Sequence, residues 1–216
     1  MLTTNGMVGP VTLRGLSIVG LGDSTTAGTP GFRSPLEAPP NGAGNPESQY
    51  GFWMMRLHPE WTVLNRGING ETAEEIRARL PRDVLQVRPA YAIILAGVND
   101  IFGGQIPETV ERHLAAMYAD ILDAGIVPVA ATVLPYNMAT ARASGDILAL
   151  NSWIESLTKV LGIPFCDTHA AVADPADSTR LRGTPDGLHP DVAGYRAMGE
   201  AFARTIEDHV RRAAPR

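Results

Sequence analysis

Residues 20–28 read GLGDSTTAG directly behind the apolar run LSIV, which puts the hydroxyl of Ser24 at the end of a buried strand. A serine in that place either caps the next helix or does chemistry. A hydroxyl is a weak nucleophile at neutral pH and needs a base, which a neutral imidazole can be. The imidazole in turn needs an acceptor to fix its tautomer. Far downstream, in DGLHP, Asp186 and His189 stand three residues apart. A turn ahead of a helix can fold that carboxylate back onto Nδ1 and leave Nε2 for Ser24. The anionic tetrahedral intermediate of acyl transfer then needs donors. The backbone N–H groups of Ser24 and Gly70 and the side-chain amide of Asn99 are suited to that task. Glycine fits the second position because the backbone there must come close to the substrate.

Such residues must be brought together by strands. Apolar runs at 16–22 (LSIVGLG), 61–67 (WTVLNRG), 91–97 (YAIILAG), 126–134 (IVPVAATVL) and 163–169 (IPFCDTH) predict a five-stranded parallel sheet buried on both faces. Helical patterns lie between them. Val110, Leu114, Met117 and Ile121 share one face, as do Ile147, Leu150, Ile154, Leu157 and Leu161, and in the last helix Tyr195, Met198, Phe202, Ile206 and Val210. Thr72 and Glu75 form a capping-box pattern, and Pro81 is expected to split the helix they open. Strands alternating with helices predict an α/β fold, a three-layer α/β/α sandwich. Ligands of doubly wound sheets bind at the carboxyl ends of the strands. There strand one delivers Asp23 and Ser24, strand two Asn69 and Gly70, strand three Asn99 and Asp100. The loops after strands three and four place Ile101, Phe102, Pro135, Tyr136 and Met138 as candidate substrate-binding residues.

The segments GDST, GINGET, GVND and DGLHP resemble, in order, the sequence blocks of the GDSL esterase/lipase family, also called SGNH hydrolases. The resemblance runs from Gly20 to Pro190. On that pattern the family's serine, glycine, asparagine, aspartate and histidine fall on Ser24, Gly70, Asn99, Asp186 and His189. Thr25 stands where the family name has leucine. The resemblance implies a flavodoxin-like sandwich with strand order 2-1-3-4-5 and ester hydrolysis through an acyl-enzyme, without a metal or other cofactor. The expected substrate is a small-molecule carboxylic ester. Carbohydrate O-deacetylation, lysophospholipid cleavage and thioester hydrolysis run on the same machinery.

Other features bound this reading. At 216 residues the chain is expected to form one domain, and a net charge of −5 offers no basic stripe for nucleic acid. Cys166 is alone, so no internal disulfide forms. No run is long enough to span a bilayer and no apolar leader is visible, so a cytoplasmic location is expected. From Thr29 to Gln49 a loop with five prolines follows the serine, with Phe32 and Leu36 as its only large apolar groups before Tyr50. It is expected to wall or cover the site and to favour short acyl groups. Asp174–Arg182 reads as a solvated loop bordering the site. Asp23 is expected to organise its own loop, and Asp100 to cap a helix or ligate its loop. His58, His113 and His209 read as structural or solvated. His169 and Asp167 lack a third ligand, which argues against a metal site. A flavodoxin-like binding module would use Ser24, Thr25 and Thr26 as a phosphate loop, and a catalytically dead carbohydrate-binding relative would show a gap among the chemical positions. Every one of those positions is filled.

Overall fold

The computed structural model describes residues 13–31 and 44–213. Its centre is a five-stranded, all-parallel sheet in the order β2-β1-β3-β4-β5, built from β1 (Ser17–Gly22), β2 (Thr62–Gly67), β3 (Tyr91–Leu95), β4 (Val127–Ala131) and β5 (Phe165–Cys166). The register pairs Gly22 with Gly67 on one side and with Leu95 on the other. β3 is buried along its whole length, as the continuous apolar run YAIIL requires of a strand covered on both faces.

Helices cover the two faces in separate layers. One layer is α3 (Ala73–Ala78), α5 (Pro107–Asp123) and α6 (Ala141–Leu161), with the short α4 (Val98–Phe102) at the sheet's upper edge. Ile76, Leu114, Met117, Ile121, Ile147 and Ile154 of that layer pack with Val19, Leu21, Ala92 and Ile94 of the sheet. The opposite layer is α2 (Tyr50–Leu57) and α8 (Val192–Ala213), whose Met54, Tyr195, Met198, Phe202 and Ile206 cover Ile18, Tyr91, Ile93 and Val129. The alternation of strand residues between these two clusters is the period of two of a pleated strand.

The local signals act as the residues dictate. Thr72 and Glu75 form a reciprocal capping box at the start of α3. α3 ends at Ala78, and Pro81–Leu85 continue as a π-type turn, since Pro81 has no N–H for a regular ladder. Two expectations need correction. Strand five is shorter than its apolar run, because Asp167 accepts from Ala170 N and caps α7 (Thr168–Val172), ending the strand at Cys166. Asp174–Arg182 is not a plain loop. β6 (Ala173–Asp174) and β7 (Asp177–Leu181) pair there as an antiparallel hairpin, invisible in the sequence because β7 buries only Leu181. In the 29–49 loop, Pro46–Ser48 form a 3-10 turn with Asn45 capping it. Residues 32–43 of that loop, with Phe32 and Leu36, lie outside the described residues.

Two glycines make opposite predictions. A Cβ on Gly67 would lie 2.0 Å from Ala27 N, so Gly67→Ala must push the turn after β1 off the end of β2. It is expected to destabilise by ~3 kcal/mol or more in urea unfolding, the range of overpacking against backbone. Gly145 is exposed within α6, and a Cβ there meets nothing within 4 Å. Gly145→Ala is expected to stabilise by about 0.5–1 kcal/mol, the helix-propensity difference. Equal effects from the two substitutions would contradict this packing.

Candidate active site

β1 ends at Gly22, and the next residues fold at once into α1 (Ser24–Ala27), a single helical turn. Asp23 caps it by accepting from Thr25 N at 2.9 Å, and Gly28 closes it in the left-handed region at φ +94°. Burial lifts the Asp23 carboxyl to about 7 against the hydrogen bonds from Thr25, with the nearby Asp100 charge adding to the rise. Asp23 thus organises the loop, as its position suggests.

Ser24 meets the end of the chain's last loop. His189 Nε2 lies 2.8 Å from Ser24 Oγ, and His189 Nδ1 lies 2.7 Å from Asp186 Oδ2. The other carboxylate oxygen of Asp186 accepts from His189 N at 2.8 Å and from Leu188 N at 2.9 Å. Partial burial works to raise the Asp186 pKa, but the bonds from His189 and Leu188 outweigh it and hold it at about 2. The carboxylate is therefore charged wherever the protein is folded near neutrality. The three-residue spacing of Asp186 and His189 works because Gly187 turns at φ +81° between them. Sequence reasoning missed Asn137, which pins this loop: its N donates to Gly187 O at 2.7 Å and its Oδ1 accepts from Leu181 N at 2.8 Å. Its position after strand four was the available signal.

Facing Ser24 is a cleft of about 230 Å³, lined by Ser24, Thr25, Asn69, Gly70, Val98, Asn99, Phe102, Leu188 and His189. Ser24 is the first residue of α1, so its N–H has no intrahelical acceptor. Gly70 has φ +80°, and a Cβ there would meet no protein atom within 4 Å. Its backbone conformation alone therefore calls for glycine. Asn99 Nδ2 donates one hydrogen to Glu71 O at 2.8 Å, which leaves the second for the cleft. Asp100 caps across to another helix, Oδ2 accepting from Ala73 N at 2.9 Å.

The candidate substrate-binding residues separate. Phe102 lines the cleft and is 62% exposed. Ile101 is not at the site: it is buried in the core with α5 and α6, one helical step away from Phe102. Tyr136 is buried, its ring 5.8 Å from that of Phe102. Pro135 borders a different depression with Ser144, Ile147, Leu148, His169 and Thr179. Met138 is exposed and lies against Gly187. Val98 and Leu188, adjacent to named site residues, supply apolar wall that the sequence reading did not single out.

The remaining candidates are structural. His169 is buried, with Nε2 2.8 Å from Ser178 O and Nδ1 3.0 Å from Val133 O. His58 stacks on Trp61 and pairs with Glu207, and His209 meets the Tyr91 hydroxyl. Among the described residues no group of three or more His, Cys, Asp or Glu is placed to hold a metal. No helix among them is long and apolar enough to cross a membrane.

The family model described as "GDSL-like Lipase/Acylhydrolase family" matches residues 21–197. The chain belongs to this family. Its members are carboxylic ester hydrolases, and so is this protein. A 26% identical relative over 176 residues, covering 71% of this chain and 76% of its own, is an acetylxylan esterase of Geobacillus stearothermophilus. A second, the thioesterase 1/protease 1/lysophospholipase L1 of Escherichia coli K12, is 30% identical over 100 residues, covering 44% of this chain and 48% of its own. A solved structure of a G-D-S-L-family protein from Desulfitobacterium hafniense DCB-2 superposes with a TM-score of 0.73 at 26% identity, covering 88% of this chain and 99% of that one. The GDSL-type fold, with its 2-1-3-4-5 sheet, is thus shared.

The buried cap of α1 makes a pH prediction. With a folded pKa raised from 3.8 to about 7, Asp23 keeps its proton when folded in a pH range where the unfolded chain has lost it. Stability from this group is complete below pH 3.8 and declines as pH rises towards 7. Asp23→Asn keeps an acceptor for Thr25 N and cannot ionise. Its Tm relative to wild type is expected to rise between pH 5 and pH 8, by roughly several degrees. A constant difference would mean that Asp23 is ionised in the fold throughout.

Proposed function

We propose that this protein cleaves a short-chain carboxylic ester through an acyl-enzyme on Ser24. The observation that carries the reading is the hydrogen-bonded chain Ser24–His189–Asp186 at the edge of a cleft whose other side holds Gly70 and Asn99. In this reading Ser24 Oγ attacks the carbonyl carbon while its proton passes to His189 Nε2. Asp186 accepts the Nδ1 hydrogen, holds the imidazole in the productive tautomer and stabilises the imidazolium. The N–H groups of Ser24 and Gly70 and the free hydrogen of Asn99 Nδ2 hold the oxyanion. Collapse of the tetrahedral intermediate returns the proton from His189 to the leaving oxygen. A water activated by His189 then releases the acid.

The cleft supports a short acyl group. At about 230 Å³ it is smaller than the ~300–1,000 Å³ of sites for larger ligands. Val98, Phe102 and Leu188 give it an apolar side for an acetyl or butyryl methyl end. The Thr29–Gln49 loop is fastened beside it at both ends: Thr29 Oγ1 donates to Asn69 Oδ1, and Gln49 Nε2 to Ala27 O. In the proposal Thr29, bonded to the cleft residue Asn69, borders the mouth. An acetylated carbohydrate, the substrate type named for the Geobacillus relative, fits such a cleft, with the acetyl group transferred to Ser24 and the sugar hydroxyl leaving.

Ser24→Ala is expected to abolish hydrolysis of p-nitrophenyl acetate and labelling by an organophosphonate, with an unchanged unfolding transition. Retained activity would remove the serine from the mechanism. Asn99→Ala is expected to lower kcat by roughly 10²–10³ with a smaller change in KM, the loss of one oxyanion donor. Wild type is expected to prefer acetyl and butyryl over decanoyl esters. A preference for decanoyl would assign the site to long acyl chains such as those of lysophospholipids.

A further inference from the structure

We propose that Arg79 is a positioning residue for hydrolysis, a buried guanidinium that fixes the relative placement of all the oxyanion donors. The inference rests on the reading of Ser24, Gly70 and Asn99 given above, and concerns how they are held.

Arg79 follows α3 and is 7% exposed. Its Nη2 donates to Gly22 O at 2.7 Å and its Nη1 to Arg66 O at 2.6 Å. Those carbonyls sit at the ends of β1 and β2, the strands that carry Ser24 and Gly70. Nε donates to Glu71 Oε2 at 2.6 Å, and Nη1 also to Asp83 Oδ2 at 2.9 Å. Glu71 directly follows Gly70, and its carbonyl is the acceptor that orients the Asn99 amide. One side chain therefore grips the residue two before Ser24, the residue after Gly70, and through that residue the anchor of Asn99.

Other bonds also join the two strand ends, Thr29 Oγ1 to Asn69 Oδ1 and Asn65 Nδ2 to Ala27 O among them, but these do not involve Glu71. Gly22 O also accepts from Ile68 N at 3.1 Å, but that bond stops short of the Gly70–Glu71 turn. A planar fork with several fixed donors is what bridging separate acceptors at set angles requires. A lysine keeps the charge and loses the fork. The two carboxylates that neutralise the guanidinium are unlike in consequence. Asp83 lies on the side of the π-type turn and is also bound by Arg82, whereas Glu71 lies on the donor loop.

The test is a double-mutant cycle between Arg79 and Asn99 on a short-chain p-nitrophenyl ester, read as kcat and KM separately. Arg79→Lys is expected to lower kcat roughly 10- to 100-fold with KM within about 3-fold, since small displacements of reacting groups act on chemistry. Its effect in an Asn99→Ala background is expected to be several-fold smaller, because the donor it helps to hold is gone. Glu71→Ala leaves the strand-end bonds in place and serves if Arg79→Lys does not fold. It is expected to give a kcat loss of roughly 5- to 10-fold with the same non-additivity towards Asn99→Ala. Arg82→Ala, on the exposed side of Asp83, is expected to leave kcat within about 2-fold. The proposal is overturned if the Arg79 or Glu71 variant changes only Tm or KM, or if its kcat loss adds fully to that of Asn99→Ala. If Asn99→Ala itself leaves kcat intact, the oxyanion assignment fails first and Arg79 has no donor to place there.

Discussion

The level register of the sheet is the constraint from which the site follows. Gly22 stands opposite Gly67 in β2 and opposite Leu95 in β3, so these strands release their loops at one height. In a parallel sheet all such exits lie on the same edge, and the reversal of chain direction in the strand order opens a crevice beside the central strand. Ser24, Gly70 and Asn99 are carried into that crevice by adjacent strands. A slip of one residue in β1 would move Ser24 to the other face and turn the apolar alternation of Ile18, Val19 and Leu21 inside out.

Keeping that edge closed requires burying charge. Asp23, Arg79, Asp83 and Asp100 are all largely removed from water around the ends of β1 and β2. Arg79 is compensated by Glu71, Asp83 and backbone carbonyls, an arrangement in which each nitrogen of the guanidinium has an acceptor. Asp23 is treated differently: burial pushes it towards the neutral form, with Thr25 as its hydrogen-bond partner. Asp186, at the more open side, is held charged by the backbone and imidazole of its own turn. Asp23 and Asp186 thus differ in ionisation because they differ in solvent and in donors.

Much of this arrangement is legible in the residues themselves. The buried strands announce themselves by unbroken apolar runs, the capping box of α3 by Thr72 and Glu75, and the helix break by Pro81. The positions of Ser24 and of the Asp186–His189 pair are visible because their backbone signals are local: glycines around a strand end, and a glycine turn before a helix. The β6–β7 hairpin was not legible, since a two-sided polar strand leaves no periodic mark. Nor were Asn137 and Arg79. Each is an ordinary polar residue until the fold surrounds it with backbone carbonyls and amides from distant segments.

The sequence by itself determined the α/β architecture, the helical faces and the candidate residues proposed for acyl transfer, because propensity, period and turn chemistry are properties of short segments. Tertiary structure alone decided which of those residues meet. The Ser24–His189 contact joins positions 165 apart in the chain, and no segment by itself sets its length: the His189 loop is held by Asn137, from beyond strand four. The same holds for the cleft wall. Ile101 and Phe102 are neighbours in sequence, yet the helical rotation between them buries the first in the core and leaves the second facing the site. Side-chain direction at that scale depends on where α4 lies over the sheet, and this is fixed by contacts with α6 rather than by anything in the segment GVNDIF.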